Sequence, residues 1–218
     1  MSLSALKSEF KRLFAVLEPP DHHHDNSILL TFDDGPHPEI TPQILDILDE
    51  FRAKAIFFVV GNRIPGAPHL LRQILDRGHI LGNHSFSHNK KFGFSGQRID
   101  FTKCQAEVKR MCNYSPFLMR PPEGKLTGAI LYSAFSLDLK IVLWSIDPED
   151  WKLRTPSVAA ENARQLATML LAKQRRREIL LFHDDNVNTI VYLRTLLPKL
   201  RDAGCVFDAG LFDNPAGR

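Results

Sequence analysis

Short apolar runs and amphipathic stretches alternate along most of the chain. Apolar and β-branched residues cluster at 28–32, 55–60, 79–82, 117–120, 141–146, 178–182 and 205–207. Runs of that length with few charges predict strands buried on both faces. Between most of them the apolar positions recur at helical spacing. Thr41-Pro42 predicts an N-cap with Pro at the first helical position, followed by a stripe of Ile44, Leu45, Leu48 and Phe51. Pro68 opens a second helix with Leu71, Ile74 and Leu75 on one face and Gly78 as its stop. A third spans about Arg98 to Met111, and a fourth runs from a Thr155-Pro156 cap to about Gln174. The fifth covers about 189–202, stopped by Gly204.

This alternation predicts an α/β fold of parallel strands surrounded by helices. About seven such units in one domain favour an irregular (β/α)7-type barrel over an open doubly wound sheet. An extra amphipathic helix is expected at 3–17, and Pro19-Pro20-Asp21 breaks it before His22-His23-His24. Three consecutive histidines cannot all face one ion, so they read as a loop. The expected division is an N-terminal helix and loop at 1–27, packed on a barrel domain at 28–218.

Composition narrows the class. A net charge of +3 with scattered basic residues gives no nucleic-acid footprint. The densest basic run, Arg175–Arg177, falls where a helix should end and complements its dipole. Lys7, Glu9, Lys11 and Arg12 interrupt the first apolar stretch, so no signal-peptide core or membrane span is expected there. Cys104 and Cys112 lie on one predicted helix with Cα atoms about 12 Å apart, too far for a disulfide. Reduced thiols predict an intracellular, cytoplasmic protein.

The polar residues that interrupt the pattern share one position. Asp33-Asp34, His84, Arg120, the group Asp147, Asp150 and Trp151, and His183 each follow a predicted strand. In a parallel barrel those strand ends meet on one face, where active sites are built. Taken alone, Asp33-Asp34-Gly35-Pro36 is an ordinary turn, and two histidines four apart are ordinary surface or core residues. On a helical turn, His84 and His88 would face the same way and could reach one cation. A carboxylate from another strand would complete a His₂–carboxylate set, which leaves positions open as catalytic metal sites do.

These segments resemble the polysaccharide deacetylases of the NodB-homology group, carbohydrate esterase family 4. The resemblance rests on Thr31–Pro36, His84–His88, Arg120–Gly124, Asp147–Trp151 and Leu181–His183, taken in order. It implies that Asp34, His84 and His88 hold one divalent metal ion, with zinc expected and cobalt, nickel or manganese admissible. It implies that Asp33 is the general base, oriented by Arg120, and that His183 is the general acid, paired with Asp150. Trp151 and Leu181 would wall a pocket for an acetyl methyl. The implied substrate is an acetylated carbohydrate, de-N-acetylated or de-O-acetylated.

One position departs from the family pattern. Glu123 stands where an aromatic residue is usual, and it is read as a substrate contact, a partner of Lys125 or a solvated side chain. His37 and Asn83 are expected at the entrance and Asp147 as a loop anchor, while Asp184 and Asp185 read as surface charges, the favoured reading, or as partners supporting the site residues. No signal attaches to His69 or His79. Two further readings stay open: a glycan-binding module on the same fold without turnover, and a deacylase of a small non-glycan amide.

Overall fold

The structure is a computed structural model that describes residues 26–89, 92–175 and 177–209. The expected N-terminal helix and His22–His24 lie outside the described residues. Six strands form one sheet: β1 (Ile28–Asp33), β2 (Ala55–Val59), β3 (Ile80–Asn83), β4 (Leu118–Met119), β5 (Lys140–Ile141) and β6 (Glu178–His183). Six α-helices accompany them: α1 (Ile40–Glu50), α2 (Pro68–Asp76), α3 (Phe94–Cys112), α4 (Gly128–Ser136), α5 (Pro156–Leu171) and α6 (Val187–Asp202).

All neighbouring strands run parallel, in the order β5-β4-β3-β2-β1-β6. The sheet curls until Ile146, beyond β5, meets Leu180 of β6 in a single parallel bridge. This is the expected (β/α) barrel, with six strands in place of seven among the described residues. The run at 205–207 contributes only a bridge from Val206 to Ser27, at the start of β1.

Strand alternation sends apolar side chains to two faces of the sheet, the outer one packed in a large cluster and a smaller one around Phe101, Met119, Ile130 and Ile141. Ile28, Leu30 and Phe32 of β1 face outward and pack with α1, α5 and α6 in the large core. Leu29 faces inward with Ile56, Phe58, Leu118, Val142 and Ile179. This small plug fills the lower barrel. On the same face of β1, two and four residues above Leu29, stand Thr31 and Asp33.

Helix boundaries follow the sequence with instructive exceptions. Pro68 opens α2 and Thr155 accepts from Val158 N at the start of α5. Thr41, expected to cap α1, instead lies inside its first turn and is fully buried. The N-cap is Glu39, and the amides of Glu39 and Ile40 donate to the His37 ring at 3.2 and 3.3 Å, so the side chain that satisfies them is His37. Helix α4, capped by Thr127, was not anticipated. Helix α5 ends at Leu171, which leaves Arg175 and Arg177 in the following loop. Cys104, Cys112 and Cys205 are buried thiols outside any disulfide among the described residues.

Candidate active site

The strand ends converge as the sequence predicts, on a cavity of about 950 Å³. Its wall includes Asp33, Asp34, His84, His88, Glu123, Asp147, Trp151, Leu181 and His183. Asp33 and His183 are register partners on the adjacent strands β1 and β6, so they flank the cavity side by side.

Asp33 and Asp34 have separate surroundings. Asp33 ends the strand and turns into the barrel, where its Oδ1 accepts from Arg120 Nη1 at 2.8 Å. Asp34 takes a left-handed backbone, φ 74°, which swings its carboxylate toward the histidines. One Asp34 oxygen lies 3.4 Å from His88 Nε2 and 3.7 Å from His84 Nε2. One ligand atom from each of the three residues falls within 4.8 Å of the others.

The donor set fits a divalent ion. His84 is buried, and burial holds its imidazole neutral by lowering its pKa against the pull of Asp33 and Asp34. Its Nδ1 lies 2.8 Å from the Arg120 carbonyl. A proton on Nδ1 makes that hydrogen bond and leaves the Nε2 lone pair free for metal, the usual arrangement of a ligating histidine.

The two rings meet by a route other than the one expected. Residues 84–88 form no helical turn. Ser85 and His88 both have left-handed backbone, φ 66° and 54°, and the rings approach to 4.9 Å between centroids. The start of α3 holds this turn: buried Asp100 accepts from Ser87 N at 3.2 Å and from its hydroxyl at 3.0 Å. Gln97 donates to Asn89 O at 2.9 Å, and Ser85 Oγ accepts from His88 N at 3.0 Å.

Arg120 is the hub beneath Asp33. It is fully buried and donates to Val142 O, Leu143 O, Thr31 Oγ1 and Asp33 Oδ1 at 2.8–2.9 Å. Its guanidinium lies 4.3 Å from the Phe58 ring centroid, on top of the apolar plug.

His183 pairs with fully buried Asp150, Nδ1 to Oδ1 at 2.7 Å. The other Asp150 oxygen accepts from His183 N at 2.8 Å and Thr189 Oγ1 at 2.6 Å. Burial opposes a charge on the imidazole. The hydrogen bond and charge of Asp150 outweigh it, with help from Asp33 and Asp34, and the pKa is pushed up to about 9.

A family profile described as polysaccharide deacetylase matches residues 21–142. The chain belongs to the polysaccharide deacetylase family. Peptidoglycan-N-acetylglucosamine deacetylase PgdA of Listeria monocytogenes is 36% identical over 194 residues, which cover 88% of this chain and 40% of that protein. The present chain thus spans well under half the length of that relative. Chitooligosaccharide deacetylase of Bradyrhizobium is 34% identical over 181 residues, 81% of this chain and 80% of that protein. Peptidoglycan-N-acetylmuramic acid deacetylase PdaC of Bacillus subtilis is 34% identical over 179 residues, 81% of this chain and 36% of that protein. The solved structure of PdaC superposes with a TM-score of 0.73 at 30% identity, over 85% of this chain and 89% of that one.

Within this deacetylase fold the remaining residues find their places. Leu181 is buried and Trp151 half-exposed on the cavity wall. Glu123 has left-handed backbone, φ 55°, lines the cavity and pairs with Lys125 at 2.7 Å. Asp147 anchors its loop by accepting from Glu149 N at 2.7 Å. Asn83 does not line the entrance: it is buried, donates to Phe101 O and accepts from Ser85 N. Asp184 is not on the surface either. It is 1% exposed, accepts from the Thr41 hydroxyl at 2.6 Å, and burial raises its pKa to about 7. It lies so close behind Gly35 that a Cβ there would sit 2.1 Å from its carboxylate. Asp185 is half-buried at the cavity wall and pairs with Arg63 at 2.8 Å.

No described helix is long and apolar enough to cross a membrane.

Proposed function

We propose that the protein is a metal-dependent hydrolase that removes acetyl groups, foremost N-acetyl groups, from a carbohydrate. The observation that carries this reading is the convergence of the Asp34, His84 and His88 donor atoms between buried Asp33 and the His183–Asp150 pair. Those three residues hold one divalent ion, with zinc the expected metal and cobalt, nickel or manganese compatible with the donor set. When bound, such an ion lowers the pKa of water to about 7 and polarises an amide carbonyl.

The protein's own groups move the protons. Arg120 occupies Asp33 Oδ1, which leaves Oδ2 toward the cluster, 3.5 Å from His84 Nε2. Asp33 Oδ2 takes a proton from the attacking water. His183 enters the reaction protonated, because Asp150 raises its pKa above neutrality. With its Nδ1 proton committed to Asp150, it delivers the Nε2 proton to the departing amine. Proton transfers of this kind contribute about 10²–10⁴-fold. By the family resemblance, the main-chain N–H of Glu123 donates to the developing oxyanion, a contribution of about 3–4 kcal/mol. Trp151 and Leu181 enclose the acetyl methyl.

The test is acetate release from N-acetylated oligosaccharides by purified protein, before and after chelation and metal restoration. Release is expected to stop on chelation, return with zinc, and fall at least 100-fold in D33N and in H183A. Release that persists fully in chelator would overturn the reading, as would metal binding with no release from any acetylated sugar.

A further inference from the structure

The cavity wall between Trp151 and α5 carries a cation that the catalytic assignment does not use. Arg154 lines the cavity beside Trp151 and Leu153. Among the described residues it has no hydrogen-bond or ion-pair partner. The other cations close to this wall are matched: Arg63 with Asp185 at 2.8 Å, Lys125 with Glu123 at 2.7 Å, and Lys152 with Glu149.

The backbone under Arg154 is held in place. Leu153 is 7% exposed; its N–H donates to Asp150 O at 3.1 Å and its carbonyl accepts from Asn188 Nδ2 at 3.0 Å. Asp150 is also the residue that holds His183. The backbone just before Arg154 is therefore tied to the loop whose Asp150 pairs with His183. An exposed guanidinium in a wall otherwise rich in carboxylates (Asp33, Asp34, Asp147, Asp185) gains nothing from solvent that a lysine would not. Its planar fork is suited to a carboxylate or phosphate.

Building on the deacetylase reading, we infer that Arg154 is a specificity residue that selects acetylated sugars carrying an anionic group on the reacting unit or its neighbour. The recognised chemistry is an oxyanion, either carboxylate or phosphate. Arg154 takes no part in proton transfer.

The experiment uses the full chain and four probes. These are an N-acetylglucosamine tetramer, the same tetramer phosphorylated at a 6-hydroxyl, an oligosaccharide containing N-acetylmuramic acid, and the carboxamide of that oligosaccharide. Acetate release gives kcat/KM, and calorimetry on the metal-free protein gives Kd independently of turnover. The wild type is expected to favour at least one anionic probe over its neutral counterpart by about tenfold, the scale of one charge-assisted hydrogen bond. The favoured pair identifies carboxylate or phosphate as the source. The ratio should fall to near one in R154Q and survive in part in R154K, with unchanged melting temperatures because the side chain is exposed. A wild type that discriminates neither pair would overturn the inference, and so would an R154Q variant that keeps the ratio. Absence of acetate release from every probe would count against the hydrolase reading alone, since the Kd ratios still report on Arg154.

Discussion

Replacing Arg120 with methionine strikes the hub of the site while keeping much of its volume. The buried guanidinium makes four hydrogen bonds, to Val142 O, Leu143 O, Thr31 Oγ1 and Asp33 Oδ1. Methionine makes none of them. Asp33 is only 4% exposed, and its buried carboxyl group would lose the guanidinium that pairs with it. Removing one partner of a buried ion pair costs about 3–5 kcal/mol. Each orphaned carbonyl adds about 1 kcal/mol or more where water does not replace the donor. R120M is therefore expected to lose about 5–7 kcal/mol, a large share of the roughly 5–15 kcal/mol that holds a domain folded. Urea unfolding followed by tryptophan fluorescence measures this, with D33N and D33N/R120M completing a cycle. The double variant should be more stable than R120M by about 2 kcal/mol, because no buried charge is left unpaired. If R120M is too unstable to purify, the double variant should restore soluble protein. A loss under about 1 kcal/mol in R120M, or a double variant no more stable than it, would refute the argument that an ion pair organises this face.

Three further outcomes follow from the geometry. The pKa of His183 in the folded protein, about 9, lies above the unfolded value of 6.5. In chelated protein its contribution, about 3 kcal/mol, should be fully present below pH 6.5 and lost as pH rises through about 9. NMR titration should find the ring protonated at pH 7.5 and the D150N ring largely neutral; equal titration in both would contradict the assignment. A divalent ion at one hundred times its Kd should stabilise the wild type by about 2.7 kcal/mol, with most of the shift lost in H88A. Thermal melts with zinc and with chelator check this, and a shift that H88A retains in full would place the ion elsewhere. G35A forces a Cβ into the Asp184 carboxylate and should cost about 1–3 kcal/mol. Unfolding curves for G35A and G35A/D184A would show whether trimming Asp184 relieves it.

The site was legible in the chain because its chemistry sits on punctuation. Charged or imidazole side chains after apolar runs mark strand ends, and parallel strands bring those ends together. What sequence reasoning missed lies in groups that act at second hand. Asp100 and Gln97 are unremarked polar residues of a helix, yet they clasp the turn that aims His88. Their only signal was burial, which spacing does not reveal. Spacing also pointed to a helical turn at 84–88, whereas two left-handed residues do the work. Thr41 resembled a cap because Pro42 followed it. The His37 ring satisfies the first amides instead, and the Thr41 hydroxyl serves Asp184. Helix α4 went unnoticed because Gly128-Ala129-Ile130-Leu131 lacks a polar face in its first turn, so amphipathic period is absent there.

The curled sheet is stitched shut along a very short seam. Ser145 and Ile146 both donate to Ile179 O, Leu181 N donates to Ile146 O, and Ser145 Oγ accepts from Ile179 N. Asp150 stands only a few residues past this seam on one margin, and His183 stands on the other. Parting the margins would draw His183 away from the Asp150 carboxylate with which it pairs. A handful of hydrogen bonds thereby fixes the distance between two residues that come from opposite edges of the sheet.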